Sequence, residues 1–319
     1  MNIIYNGEKD RAFKDALGEI IPRLAEEDKD FIYLDADLMS CIGTAKWGKA
    51  NPDRAINCGI AEANMMGIAA GMSAVGFKPL VHTFGPFASR RCYDQVFLSG
   101  GYAGNSITIL GTDAGVTAAF NGGTHMPFED LALYRAIPGA YVFEATDPTM
   151  IEDLLEQCKD IKGVKYIRLP RKNNCKMYAP GSKFEIGKGI VTKELGSDAV
   201  IFAIGIMVAK AMDAAEELAK EGIKVTVVDM FTLKPLDEDI IVKYAKSTGA
   251  VITAENHNKI GGLTSAVSDV LAKKCPTPLE YVAVEDEFGE VGPQDYLEGR
   301  FKLTKEHVVE AVKAAIARK

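Results

Sequence analysis

Short apolar runs alternate with longer segments of helical periodicity along nearly the whole chain. In the first half, "FIYLDA", "KPLVHTF", "SITILGT", "AYVFEA" and "VKYIRLP" predict strands, while "RAFKDALGEIIPRLAEE", "AEANMMGIAAGMSAVG" and "TMIEDLLEQCKD" predict helices. Apolar runs separated by helices are what a parallel sheet covered on both faces requires, so the pattern predicts α/β units. Residues 171–189, "RKNNCKMYAPGSKFEIGKG", are polar, contain Pro and Gly, and interrupt the alternation. Beyond them it resumes with strands "DAVIFAIG", "KVTVVDM", "AVITAE" and "LEYVAV". Helices "VAKAMDAAEELAKEG", "PLDEDIIVKYAKSTG", "GGLTSAVSDVLAKK" and "TKEHVVEAVKAAIARK" lie among them. The expected fold is α/β with two domains, residues 1–172 and 191–319, each a mainly parallel sheet flanked by helices, joined by a linker at 173–190.

Composition narrows the function classes. A length of 319 residues exceeds the usual single core, and 47% hydrophobic with 25% charged residues describes a globular chain. No apolar run reaches the roughly eighteen residues that span a bilayer, and the start lacks a signal peptide's basic end and apolar stretch. A membrane role is not expected, and a cytoplasmic protein is. The net charge of -7, with no Lys/Arg cluster interleaved with aromatics, argues against nucleic acid. Six scattered cysteines form no C-x-x-C pair, so they are read as reduced and structural. The turn "GIMVAKA" after the second domain's first strand lacks the glycine pattern of a dinucleotide site.

Candidate chemistry begins with Glu62, alone among small and apolar residues in "NCGIAEANMMGIAAGM". In the first helical turn, the helix dipole alone accounts for a carboxylate. Gly67 and Gly71 lie one turn apart on that helix, at a cost of about 1 kcal/mol each relative to alanine. Close packing against another backbone, within the subunit or across an interface, is the expected return. Phe84 and Phe87, in "HTFGPFASRRCYDQV", follow a strand's C-terminal end, where α/β proteins place ligands. They are either core residues or a wall for a flat heterocycle. His125 lies in the long Gly- and Thr-rich segment "GTDAGVTAAFNGGTHMPFEDLALYRAIPG", a loop followed by a helix, either as a structural histidine or as a catalytic group carried on a loop. His257, in "AENHNKIGG", is read as a capping or turn residue.

In order, "LDADL", "NCGIAEANMMGIAAG", "HTFGPFASRRCYDQV", "GGTHMPFEDLALYRAIPG", "IRLPR" and "AENHNKIGGLTSAV" resemble the C-terminal half of a transketolase, the pyrimidine-binding domain followed by the C-terminal domain. The same half of deoxyxylulose-phosphate synthase, and more distantly the beta subunit of 2-oxoacid dehydrogenases, is similar too. The resemblance implies two-carbon ketol transfer between sugars or sugar phosphates with thiamine diphosphate as cofactor. It implies that Glu62 hydrogen-bonds the aminopyrimidine nitrogen N1′ and favours the imino tautomer, a role that suits a buried carboxyl. It further implies that Phe84 and Phe87 stack on the pyrimidine, that Asp37 and Leu38 border the thiazolium, and that His125 contacts the reacting carbons' oxygens. Arg171 would hold a terminal phosphate, with Ser40 among the substrate contacts.

Departures from the family pattern bear on the substrate. Asp113 replaces a histidine twelve residues before His125, Asn121 replaces an aspartate four before it, and Met126 replaces the following glutamine. A carboxylate near a phosphate site is repulsive, which puts the usual ketose-phosphate donor in question. The "GDG" and downstream Asn that grip the diphosphate and its Mg²⁺ or Ca²⁺ in this family do not occur in the chain. The implied partner is therefore a transketolase N-terminal subunit that holds diphosphate and metal, in an α2β2 assembly that buries the face around Gly67 and Gly71. A decarboxylating thiamine enzyme is the alternative.

Overall fold

The computed structural model describes residues 2–171 and 175–319. The expected boundary at 172/173 and the first two linker residues, 173 and 174, lie outside them. In the first half, β1 (Phe31–Asp35), β2 (Ala55–Asn57), β3 (Lys78–Phe84), β4 (Ile107–Thr112), β5 (Tyr141–Glu144) and β6 (Val164–Arg168) appear in sequence. The second half contributes β7 (Ile190–Glu194), β8 (Ala199–Ala203), β9 (Val225–Asp229), β10 (Thr232–Lys234), β11 (Val251–Asn258) and β12 (Leu279–Val284). Two sheets result, seven-stranded β10-β5-β6-β4-β3-β1-β2 and five-stranded β12-β11-β8-β9-β7. Among the described strands, β10 with β5 and β7 with β9 pair antiparallel, and the other neighbouring pairs are parallel.

Both sheets follow from the sequence pattern. Every residue of β1, β4, β6, β8 and β9 is buried, because helices cover both faces. Helix Phe13–Glu27 buries Phe13, Leu17, Ile20, Ile21 and Leu24, the spacing of one helical face. Helix Pro148–Cys158 opens with Pro148 behind Asp147, whose carboxylate accepts the Met150 N–H at 2.9 Å, a side-chain cap for an otherwise unpaired donor. The segment after β3 is not the extended loop its polarity suggests. It folds as short helices Gly85–Ala88 and Tyr93–Gln95 and a π-helical turn at Val96–Tyr102.

The two halves meet at the carboxyl ends of their strands. Thr146, just past β5, donates to Asp229 at the end of β9, at 2.6 Å, and Arg168 at the end of β6 donates to the Asn256 carbonyl of β11 at 2.9 Å. Gly205 lacks a side chain because a Cβ there would lie 2.0 Å from Glu144 Oε1. Strand β10 crosses from the second half to the edge of the first sheet. The carboxyl end of the first sheet is thus covered on one side by the second half.

Candidate active site

Parallel strands present their last residues and following turns on one rim. On that rim β2 leads through a short turn into helix Glu62–Ala74, which starts at Glu62. The Glu62 side chain is 1% exposed, so its charge must be met. Arg91 does so, its Nη1 lying 2.9 Å from each carboxylate oxygen, and Thr83 Oγ1 of β3 donates to Oε1 at 3.1 Å. Glu62 therefore does more than benefit from a helix dipole. The lone carboxyl among apolar neighbours that the sequence suggests is a paired one.

Arg91 also joins Glu62 to the aromatics, since its guanidinium carbon sits 3.8 Å from the centre of the Phe87 ring. Phe87 and Phe84 lie 6.2 Å apart, and the His125 ring stands edge-on to both, 5.1 Å from Phe87 and 6.1 Å from Phe84. Glu62, Phe84, Phe87 and His125, drawn from three separate segments, thus converge. His125 Nδ1 lies 2.9 Å from Thr124 Oγ1. Burial and the positive charges of Arg91 and Arg171 hold the imidazole's pKa below its usual value, so the ring is neutral at physiological pH.

A second cluster lies where β4 and β6 end. Asp113, buried with a positive φ of 63°, faces Arg171, whose Nη1 is 3.3 Å from Oδ2. The Arg171 N–H donates to Thr117 Oγ1 at 3.1 Å, which fixes its backbone while the side chain stays 39% exposed. The unmatched carboxylate that the sequence raises thus has a structural answer in this ion pair. Asn121 ends the 3₁₀ turn Gly115–Asn121 that leads to His125.

The third group follows β1. Asp37, at φ 64°, exchanges hydrogen bonds with Asn57, which accepts the Asp37 N–H at 3.1 Å and donates to its carboxylate at 3.0 Å. Leu38 N–H donates to the Asp35 carboxylate, and Asp37, Ser40 and Asn57 line one open cleft. Asp35 is itself buried between Tyr33 OH at 2.5 Å and His82 Nδ1 at 2.7 Å, and His82 Nε2 reaches Thr112 Oγ1 at 3.1 Å. This network ties β1, β3 and β4 together and anchors the turn bearing Asp37 and Leu38.

Arg91, Thr83, Asp35 and His82 are not singled out by the sequence pattern. Asp35 and His82 carry a signal, being polar residues inside runs that are otherwise apolar. Arg91, in "SRRCYD", reads as a solvated charge and has none. His257 is not the cap its stretch suggests. It is buried beside Asp130, and the cap of helix Leu263–Lys274 is Glu255, which accepts the N–H groups of Leu263 at 2.7 Å and Thr264 at 2.8 Å. Among the described residues, no three His, Cys, Asp or Glu side chains gather so as to hold a metal ion, and no helix is long and apolar enough to cross a membrane.

The fold and this rim define a class of paired α/β domains, and each half matches a known family. Residues 9–176 match the family model described as transketolase, pyrimidine binding domain, and residues 187–308 match transketolase, C-terminal domain. The chain belongs to the transketolase family and corresponds to its C-terminal part. It is 44% identical to the 6-deoxy-6-sulfo-D-fructose transketolase subunit SqwH of Clostridium sp. (strain MSTE9) over 96% of this chain and 95% of that one. It is 34% identical to a putative transketolase C-terminal section of Methanocaldococcus jannaschii, covering 95% of each. Among solved structures it resembles a split gene transketolase, an inactive beta4 tetramer, with a TM-score of 0.89 and 40% identity over 96% of this chain and 98% of that one.

Proposed function

We propose that this chain is the C-terminal subunit of a split transketolase that transfers a two-carbon ketol unit between sugars. A separate N-terminal subunit binds the diphosphate and Mg²⁺ or Ca²⁺. The observation that carries the reading is the convergence of Glu62, Phe84, Phe87 and His125 in one buried-to-exposed array. The residues fit an aminopyrimidine: a buried carboxyl can share a proton with a ring nitrogen, and two aromatic rings offer apolar faces. Thiamine diphosphate, when bound, supplies the carbon nucleophile that carries the two-carbon unit. Glu62 would share a proton with the pyrimidine nitrogen when the cofactor is bound, while Arg91 and Thr83 hold its side chain in place. His125 would exchange hydrogen bonds with the substrate's oxygens, and Asp37, Leu38 and Ser40 are the residues that would border the cofactor's reactive ring and the substrate.

At the far end of the substrate, Arg171 is already paired with Asp113. A phosphate carries nearly two negative charges at neutral pH and meets the Asp113 carboxylate repulsively. A monoanionic sulfonate or a neutral polyol end, with Asn121 as a hydroxyl partner, suits the pair better, and the sulfo-sugar in the name of the Clostridium relative supports this. On the exposed face around Gly67 and Gly71, a methyl group added at either glycine would meet nothing of the chain within 4 Å, which supports a second copy packed there in an α2β2 assembly. All six cysteines are free, in keeping with the cytoplasm.

The test is reconstitution with a chain that carries "GDG" and the downstream Asn. Ketol transfer by the pair, and by neither chain alone, is expected, with kcat/KM higher for a sulfonated or unphosphorylated ketose than for a phosphorylated one. Turnover by this chain alone, or carbon dioxide released from pyruvate by the pair, overturns the reading.

A further inference from the structure

The segment from Asp113 to His125 is an unfavourable piece of backbone. Asp113, Gly115, Ala119 and Gly122 all have positive φ, at 63°, 51°, 49° and 80°. For the two non-glycine residues such conformations cost about 1–3 kcal/mol each and persist only where the surroundings impose them. Inside the segment Thr117 Oγ1 donates to the Ala114 carbonyl at 2.6 Å, and the N–H groups of Thr117, Gly122 and His125 close short turns on the carbonyls of Ala114, Ala119 and Gly122. The first half adds the Ala114 N–H to the Leu169 carbonyl at 3.0 Å and the Arg171 N–H to Thr117 Oγ1 at 3.1 Å, and the second half adds a contact that grips two residues at once. Asn256, on β11 and wholly buried, uses both ends of its amide: Oδ1 accepts the Val116 N–H at 3.0 Å, and Nδ2 donates to the Ala114 carbonyl at 3.0 Å.

The side chain thus imitates a neighbouring strand across residues 114–116. Gly115 is required between those bonds, since a Cβ there would lie 2.2 Å from Asn256 Oδ1. At the other end, Gly123 backs onto Gly289, whose carbonyl would lie 2.1 Å from an added Cβ, and Gly122 onto Val291. Both ends of the segment are therefore seated on the second half, and between and beside those seats hang Asp113 and His125.

We infer that Asn256 is a positioning residue: through its two-bond clamp on residues 114–116, the C-terminal half sets the geometry of Asp113 and His125 on the catalytic rim. The consequence for turnover rests on the functional reading above, whereas the clamp's hold on the loop can be read in this chain by itself.

The experiment compares the full chain with Asn256→Ala, Gly115→Ala and, as a control on the same strand, Thr253→Val, which breaks only the 2.9 Å contact with Thr264. Amide hydrogen exchange by mass spectrometry and the His125 ring titration by NMR are the readouts. In Asn256→Ala and Gly115→Ala, exchange over 114–125 is expected to speed up about tenfold or more while β3 and β4 keep their protection. The His125 titration is expected to move up toward its ordinary value as the ring loses its burial and leaves Arg91 and Arg171. Thr253→Val should change neither. With the partner subunit added, kcat of the two clamp variants should fall more than that of the control. Unchanged loop exchange and His125 titration in a folded Asn256→Ala chain, or equal changes in Thr253→Val, overturn the inference. A released loop with undiminished kcat would leave the clamp standing and refute the role given to His125.

Discussion

Two buried glutamates in this protein meet an arginine, and the settings differ in what remains open. Glu144 and Arg168 are both fully enclosed. Arg168 places Nε 2.8 Å from Asp130, Nη1 3.0 Å from Glu144, and Nη2 2.9 Å from the carbonyls of Pro127 and Asn256. No face of that guanidinium is left for a visitor, and the cluster joins the two halves. At Glu62 the carboxylate is equally buried, but Arg91 is 42% exposed and rests on Phe87 beside His125. The same pair of groups is sealed in one place and open on its arginine's side in the other. Burial of a charge marks a site only when its partner keeps an open side.

This contrast can be broken from either end. The largest effect is expected from Arg168→Ala, which leaves Asp130 and Glu144 buried without their common cation and should cost about 3–5 kcal/mol in chemical denaturation. Glu62→Gln should leave that unfolding curve almost unmoved, yet reduce ketol transfer by the reconstituted pair about a hundredfold or more. A Glu62→Gln chain as unstable as Arg168→Ala would erase the distinction.

The interdomain cluster should also report on pH. Burial pushes Glu144 up to about 7, against the pull of Arg168, and pushes Asp229 up to about 7, against hydrogen bonds from Thr146 and Tyr178. An unfolded carboxyl ionises near 4, so the stability these groups contribute is complete below that value and is lost as pH rises through about 7. The thermal midpoint should therefore fall by several degrees between pH 6 and pH 8, and Asp229→Asn should flatten part of that slope. Smallest of all, Arg91→Lys keeps the charge but removes the planar stack on Phe87, for a loss of about 0.5–1 kcal/mol by the same denaturation measurement.

Much of the fold is legible in the sequence because doubly covered strands are largely apolar: "KPLVHTF" coincides with β3, and "SITILGT" and "DAVIFAIG" contain β4 and β8. The strands it does not reveal are edges. Strand β2 is three residues long, β7 alternates buried with partly exposed residues because one side faces water, and β10 finds its partner in the other half. At the rim, Glu62, Phe84, Phe87 and His125 are legible as unusual residue types in their places. Arg91 and Asn256 are not, because what matters about them is which distant backbone or carboxylate they meet, and no local pattern encodes that.

Strand β10 has a practical consequence. Because Thr232–Lys234 closes the margin of the first sheet against β5, a recombinant fragment cut in the 173–190 connector would carry a raw backbone border with unmet donors and acceptors. Such a border recruits strands from neighbouring molecules. The amino-terminal piece made alone is expected to elute as aggregates on size exclusion, whereas the intact polypeptide brings its own cover.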